Sequence, residues 1–319
     1  MKPGLHIVPQ AFQKALLALI LCLSLNGAFA QSATRPSPEP QATPTPTPQA
    51  AVTSEPKASP TPQGTSIKSL ERQFFKNILR DQRAIWTSPF HIQSEDARWL
   101  IPLGLTTATL IATDKHTAGA LHDDRLRLNL SRDVGYLGSG FTVGAIAGSL
   151  YLLGRARGDD RLRKTGLLSA EALINDAAVV TALKMATQRA RPRKDHRGRF
   201  FHGGLAFPSG HSMAAWSTAT IIASEYKERP LLRIGVYSLA TMVSASRFTG
   251  RNHFLSDVVV GSALGYGIGR YVHKKHNSSA RGENDQGLTS PKRSRFVPLF
   301  VPMYQLHSQT YGVSLAWKL

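Results

Sequence analysis

The chain has 319 residues, 42% of them hydrophobic, and carries 39 Lys and Arg against 20 Asp and Glu, a formal charge of +19. That length supports one sizeable core of roughly 100–200 residues with appendages. The charge favours anionic partners, whether phosphate esters, anionic lipid surfaces or nucleic acid, without choosing among them. The one cysteine, Cys22, falls in a segment expected to be removed, which excludes disulfides, thiolate metal centres and a cysteine nucleophile from the mature chain.

Residues 1–30 read as a secretory signal. Lys2 and Lys14 supply the positive end, Ala15 to Leu25 is apolar, and Ala28-Phe29-Ala30 is a small-x-small cleavage site. Residues 31–65 are dominated by Pro, Thr, Ser, Ala and Gln and cannot bury a core, so an extended, disordered linker is expected. The folded domain is expected over 66–280, opening with a basic amphipathic helix, Ser69 to Trp86, packed on the rest. Six apolar stretches of helical length follow: Trp99–Thr113, Val134–Leu153, Leu167–Leu183, Ser212–Tyr226, Leu231–Ser246 and Asp257–Val272. Together they predict an all-α helical bundle of about six core helices. In the tail, 281–319, Tyr311, Val313, Leu315, Trp317 and Leu319 alternate with less apolar neighbours, which with Phe296–Leu306 suits a short β-hairpin.

Five of the six stretches run about 15–17 residues, short of the roughly 20 that span a bilayer, and the third carries Glu171, Asn175 and Asp176. If export places Gln31 outside and all six stretches cross, the loops after the third and fifth face inward. Those loops hold the chemistry below, so a globular bundle in the periplasm or cell envelope is favoured. The basic connectors Arg155–Lys164 and Lys227–Arg233 argue the other way, because they resemble cytoplasmic loops. An integral membrane arrangement therefore stays open.

Three clusters carry chemistry. Lys184 is followed after six residues by Arg191-Pro192. Pro208-Ser209-Gly210-His211 precedes an apolar helix. Ser246-Arg247 is followed by His253 and then Asp257. A phosphoryl group in transfer spreads charge over three oxygens, and Lys184, Arg191 and Arg247 can meet it without a metal. Ser209, Gly210 and His211 would place backbone N–H groups at a helix N-terminus, where anions bind. Gly210 also lets the backbone approach the ligand. His253 and Asp257, four apart, share a helix face, so the carboxylate can hold one ring nitrogen and free the other to attack phosphorus. His211 is the natural general acid. Each cluster alone has a plainer reading: solvated cations at helix ends, a Ser N-cap, or a polar pair at a helix start.

Together these residues match KxxxxxxRP, PSGH and SRxxxxxHxxxD, and the chain resembles the type 2 phosphatidic acid phosphatase (PAP2) superfamily from about Trp99 to Val272. The resemblance implies attack by His253 to form a phosphohistidine. Lys184, Arg191, Ser209, Gly210 and Arg247 would hold the phosphate, His211 would be the acid and Asp257 would orient His253. It implies no metal and no cofactor. The expected partners are a phosphate-containing small molecule or lipid and a membrane surface. Nucleic acid is not expected, because no binding motif accompanies the charge. The alternatives are a vanadate-dependent haloperoxidase, with His253 ligating vanadium in the same pocket, and a non-catalytic envelope module that binds anions or lipid. The cations of Arg189 to His202 suggest a rim loop that draws in anions, and His122-Asp123-Asp124 reads as surface.

Overall fold

The computed structural model describes residues 67–121, 124–193, 198–278, 299–305 and 310–316; the signal segment, the linker, most of the tail and His122-Asp123 lie outside the described residues. Helix α1 (Ile67–Thr87) turns Leu70, Asn77 and Asp81 inward, and a short 3₁₀ turn with Pro89 in its first positions separates it from α2 (Ser94–Gly119). A capping box opens α2, with the Gln93 N–H donating to Asp96 Oδ2 at 2.9 Å. Asp124 caps α3 (Arg125–Tyr136), accepting from the N–H groups of Leu126 and Arg127. Ser139 caps α4 (Gly140–Arg157), which stops at Gly158 with φ of 68°. Asp159 caps α5 (Asp160–Thr187), so the connector between α4 and α5 is much shorter than the charged run Arg155–Lys164 suggests. Three more helices complete the bundle: α6 (Gly210–Glu225), α7 (Pro230–Thr249), with Pro230 at its start, and α8 (Leu255–Ser278). Beyond them, β1 (Leu299–Gln305) and β2 (Thr310–Ala316) pair antiparallel, Leu299 opposite Ala316 and Gln305 opposite Thr310.

Helices α5, α6 and α8 supply the core cluster of Leu168, Ala172, Val179, Met213, Ile221, Ile268 and Val272. Gly261, Gly265 and Gly269 recur every four residues on α8, and their missing side chains let α6 lie directly against the α8 backbone. A Cβ at Gly265 would stand 2.2 Å from Met213 O, and at Gly261 2.5 Å from Ser209 O. That close approach also carries the start of α6 to the start of α8, where the Ser209 N–H donates to Asp257 O at 2.9 Å.

A buried polar layer ties α1 to the bundle. Asp81 of α1 meets Lys275 and Tyr271 of α8 and accepts from Asn175 Nδ2 of α5 at 3.2 Å. Glu171 pairs with His276 at 2.8 Å. This is the packing role expected for the first helix, although its opposite face leaves Phe75 and Leu79 exposed.

One expectation is corrected. The stretch Val134–Leu153 is not one helix: the chain turns at Leu137–Ser139, and α3 precedes that turn. Its periodicity misled because the apolar positions Leu126 and Leu130 face outward, while the small residues Ser131 and Gly135 are buried against α7. Ser131 Oγ lies 2.7 Å from Thr249 Oγ1.

Two segments, Arg125–Arg157 and Asp160–Thr187, are long and apolar enough to cross a membrane, by length and composition alone. Helix α2 exposes Trp99, Leu100, Ile101 and Leu105.

The α6–α8 contact predicts that Gly265→Ala destabilises the fold by about 1–3 kcal/mol, because the intruding methyl meets backbone. Gly267→Ala on the same helix meets nothing within 4 Å and should be neutral. Chemical denaturation of the two variants beside wild type measures the difference, and equal midpoints would contradict the backbone-to-backbone packing.

Candidate active site

The loops from α5 to α6 and from α7 to α8 meet at one end of the bundle and bring the three sequence clusters together. Lys184 sits in the last turn of α5. The helix ends where Gln188 adopts φ of 43°, and the chain then folds back on itself. Phe201 N–H donates to Thr187 O at 2.9 Å, and Ala206 N–H to Arg189 O at 3.0 Å. Arg191 lies exposed in this loop. Arg247 lies in the last turn of α7, and its carbonyl accepts from both Asn252 N–H and His253 N–H at 3.1 Å. Gly135 of α3 makes room for its guanidinium, since a Cβ there would stand 2.5 Å from Arg247 Nη1.

Ser209 is buried and caps α6. Its Oγ accepts from Ser212 Oγ at 3.0 Å and, at 3.4 Å, from Ser212 N–H. The plain N-cap reading of this serine therefore holds, and its own hydroxyl hydrogen remains to donate. Gly210 opens α6 beside Lys184: a Cβ there would lie 3.7 Å from Lys184 Nζ, an ordinary contact distance. His211 is the second residue of α6.

His253 is 2% exposed, and its Nδ1 lies 2.7 Å from Ala206 O. A carbonyl only accepts, so Nδ1 carries the hydrogen and the lone pair is on Nε2. The Asp257 carboxylate stands within ion-pair reach of His253, while the shortest contact of the ring is the one to Ala206 O. Asp257 Oδ2 lies 3.6 Å from His253 Nδ1 and accepts from Phe254 N–H at 2.9 Å, while Oδ1 accepts from Arg189 Nη1 at 2.6 Å. The carboxylate thus caps α8 and sets charge beside the ring, and a backbone carbonyl does the hydrogen bonding.

Sequence reasoning missed that carbonyl, which has no residue-type signal, and misplaced Arg189. Arg189 is no rim residue: it is buried, paired with Asp257 and with Asp114 of α2. The neighbouring Arg193 and Arg199 are exposed as the rim reading expects, and 194–197 lie outside the described residues. Asp114 had a faint signal, as the one acid closing the uncharged run 99–113.

Among the described residues, no ion pair engages Lys184, Arg191 or Arg247, and Arg247 Nε is buried with no hydrogen-bond partner. Cations left together without counter-charges depress one another's proton affinity. Burial, then the Arg191 charge, holds Arg247 down to about 10. Burial, then the charges of Arg247, His253, Lys184 and Arg191, pushes His211 down to about 3. Burial also lowers His253, against the opposing pull of Asp257.

His211, so lowered, is neutral over most of the acid range, although it would titrate near 6.5 in the open chain. A bound dianion offsets the cations and raises the affinity of His211 for a proton, so binding takes up a proton as pH falls below neutrality. Calorimetry of sulfate binding at pH 6, in two buffers of different ionisation heat, should read an uptake of up to about one proton. His211→Ala should abolish the uptake; equal heats in both buffers for wild type would contradict this coupling.

Residues 165–281 match the family model described as the PAP2 superfamily. Lipid A 1-phosphatase of Porphyromonas gingivalis is 36% identical over 76 residues, 23% of this chain and 17% of that relative, so the alignment spans under a fifth of the relative's length. A transmembrane PAP2-type phosphatidylglycerolphosphate phosphatase from Bacillus subtilis superposes with a TM-score of 0.42 at 22% identity, over 59% of this chain and 98% of that one. Aquifex aeolicus LpxE gives 0.41 at 20% identity, over 51% and 93%.

Proposed function

We propose, from the premise that this is a PAP2-superfamily protein across residues 165–281, that it hydrolyses lipid phosphate monoesters or pyrophosphates through a phosphohistidine at His253, without a metal. The observation that carries this reading is the Nδ1–H of His253 held by Ala206 O at 2.7 Å, beside three cations without counter-charges. The tautomer leaves a nucleophilic Nε2, and the cations form a cradle for phosphate oxygens.

In the first step Nε2 bonds to phosphorus, the bond from phosphorus to the leaving oxygen breaks, and His211 gives that oxygen its proton. Lys184, Arg191, Arg247, the Ser209 hydroxyl and the N–H groups at the start of α6 hold the equatorial oxygens. Asp257 balances the charge on the phosphorylated ring. In the second step His211 takes a proton from water, which attacks phosphorus and frees His253.

The lipid class is supported by apolar side chains around the polar centre. Phe201 and Leu205, the latter next to Ala206, are exposed, as is Met185 next to Lys184. Solvent-facing apolar groups beside a phosphate cradle suit a substrate with a charged head and an apolar tail. The likeness to a lipid A 1-phosphatase points the same way. The apolar exposure of α2 and of Leu231, Ile234 and Met242 on α7 suits association with a membrane. The segment 1–30 supports placement in the envelope after export.

Purified protein in EDTA should hydrolyse phosphatidic acid dispersed in detergent, and His253→Ala should abolish turnover. Asp257→Asn should slow kcat by roughly 100-fold or more. Wild-type turnover in folded His253→Ala would sink the mechanism. Leu205→Ser and Phe201→Ser should raise KM for phosphatidic acid several-fold and leave para-nitrophenyl phosphate hydrolysis unchanged. Equal KM values on the lipid would remove the argument for a lipid-binding mouth.

A further inference from the structure

Arg189 is 1% exposed, and every edge of its guanidinium is engaged. Nε donates to Gly198 O at 3.2 Å, Nη1 to Asp257 Oδ1 and to Ser256 Oγ at 2.6 Å each, and Nη2 to Asp114 Oδ2 at 2.7 Å. The rings of Phe200 and Phe254 lie 4.8 and 4.5 Å from its central carbon. Asp114 is equally enclosed: its Oδ1 accepts from Ser256 N–H at 3.3 Å, and its Oδ2 also meets Ser256 Oγ. A buried ion pair contributes little to stability beyond an apolar replacement of the same volume. This one, however, ends on the carboxylate that faces His253.

We infer that Asp114, acting through Arg189, is a positioning residue for the phosphohistidine chemistry, an inference that rests on the reading of His253 as nucleophile. Asp114, Arg189 and Asp257 together carry one net negative charge. Because Asp114 takes part of the guanidinium charge, Arg189 neutralises only the Oδ1 side of Asp257. The Oδ2 side, 3.6 Å from Nδ1, keeps charge to balance the ring as Nε2 bonds to phosphorus and the leaving oxygen departs with the proton of His211. Without the Asp114 charge, Arg189 and Asp257 become a neutral pair and the ring loses its counter-charge. Lys184, Arg191 and Arg247 touch none of these atoms in the described structure, so phosphate affinity should not follow.

The test is Asp114→Asn, nearly isosteric, beside wild type and His253→Ala, assayed on phosphatidic acid with binding sites counted by calorimetric titration with sulfate, a dianion that forms no bond to His253. The expected result is kcat per sulfate-binding site lowered roughly 10- to 100-fold, the size of one buried charge interaction, with KM and sulfate affinity within about twofold. Asp114→Glu, which keeps the charge but displaces it, should show the same split to a smaller degree, and it serves where the Asn variant does not fold. Unchanged kcat per site in both variants, or a loss of kcat matched by a loss of sulfate affinity, would overturn the role of Asp114 while leaving the phosphatase reading intact. Wild-type protein inert on the lipid, or His253→Ala fully active, would overturn that reading and this role with it.

Discussion

Lys184, Arg191 and Arg247 lie near one another with no ion pair to any of them among the described residues, and burial first, then the neighbouring positive charges, depresses the proton affinities of Arg247 and His211. Such a cluster opposes folding, so the rest of the bundle must hold it together. Two helix C-termini deliver Lys184 and Arg247, where the local carbonyl dipoles favour cations. The glycine contacts of α8 bring the N-terminus of α6 to the same point, where N–H groups favour an anion.

The charged groups divide by their partners. Among the described residues, no ion pair engages Lys184, Arg191 or Arg247. Several buried groups are matched within the fold: Asp81 with Lys275, Glu171 with His276, and Arg189 with Asp114 and Asp257, while the buried Asp176 has the Ser217 hydroxyl as its partner. The matched groups join helices far apart in sequence, α1 to α8, α5 to α8, and α2 to both catalytic loops, so they act as registration points in a bundle whose apolar core alone would tolerate sliding. The Arg189 group is the one that reaches into the site.

Helix α2 has an uncommon division of labour. Its first half presents Trp99, Ile101 and Leu105 outward, and its second half inserts the buried Asp114 beneath the α8 start. A helix that is apolar on its open faces fits a non-aqueous neighbour.

The sequence by itself determined most of the bundle, because long apolar runs punctuated by caps such as Asp159, Ser209 and Pro230 leave helices as the satisfactory solution. It also offered the candidate set Lys184, Arg191, Ser209, Gly210, His211, Arg247, His253 and Asp257, because residue type and spacing are themselves the signal. Only the tertiary structure decided that α3 is a separate helix, since its buried side is made of small polar residues that periodicity counts as surface. Only it decided that Ala206 O holds His253 and that Arg189 is interior. A backbone carbonyl is the same in every residue, and a guanidinium among other basic residues reads as solvated until two carboxylates from α2 and α8 are brought around it.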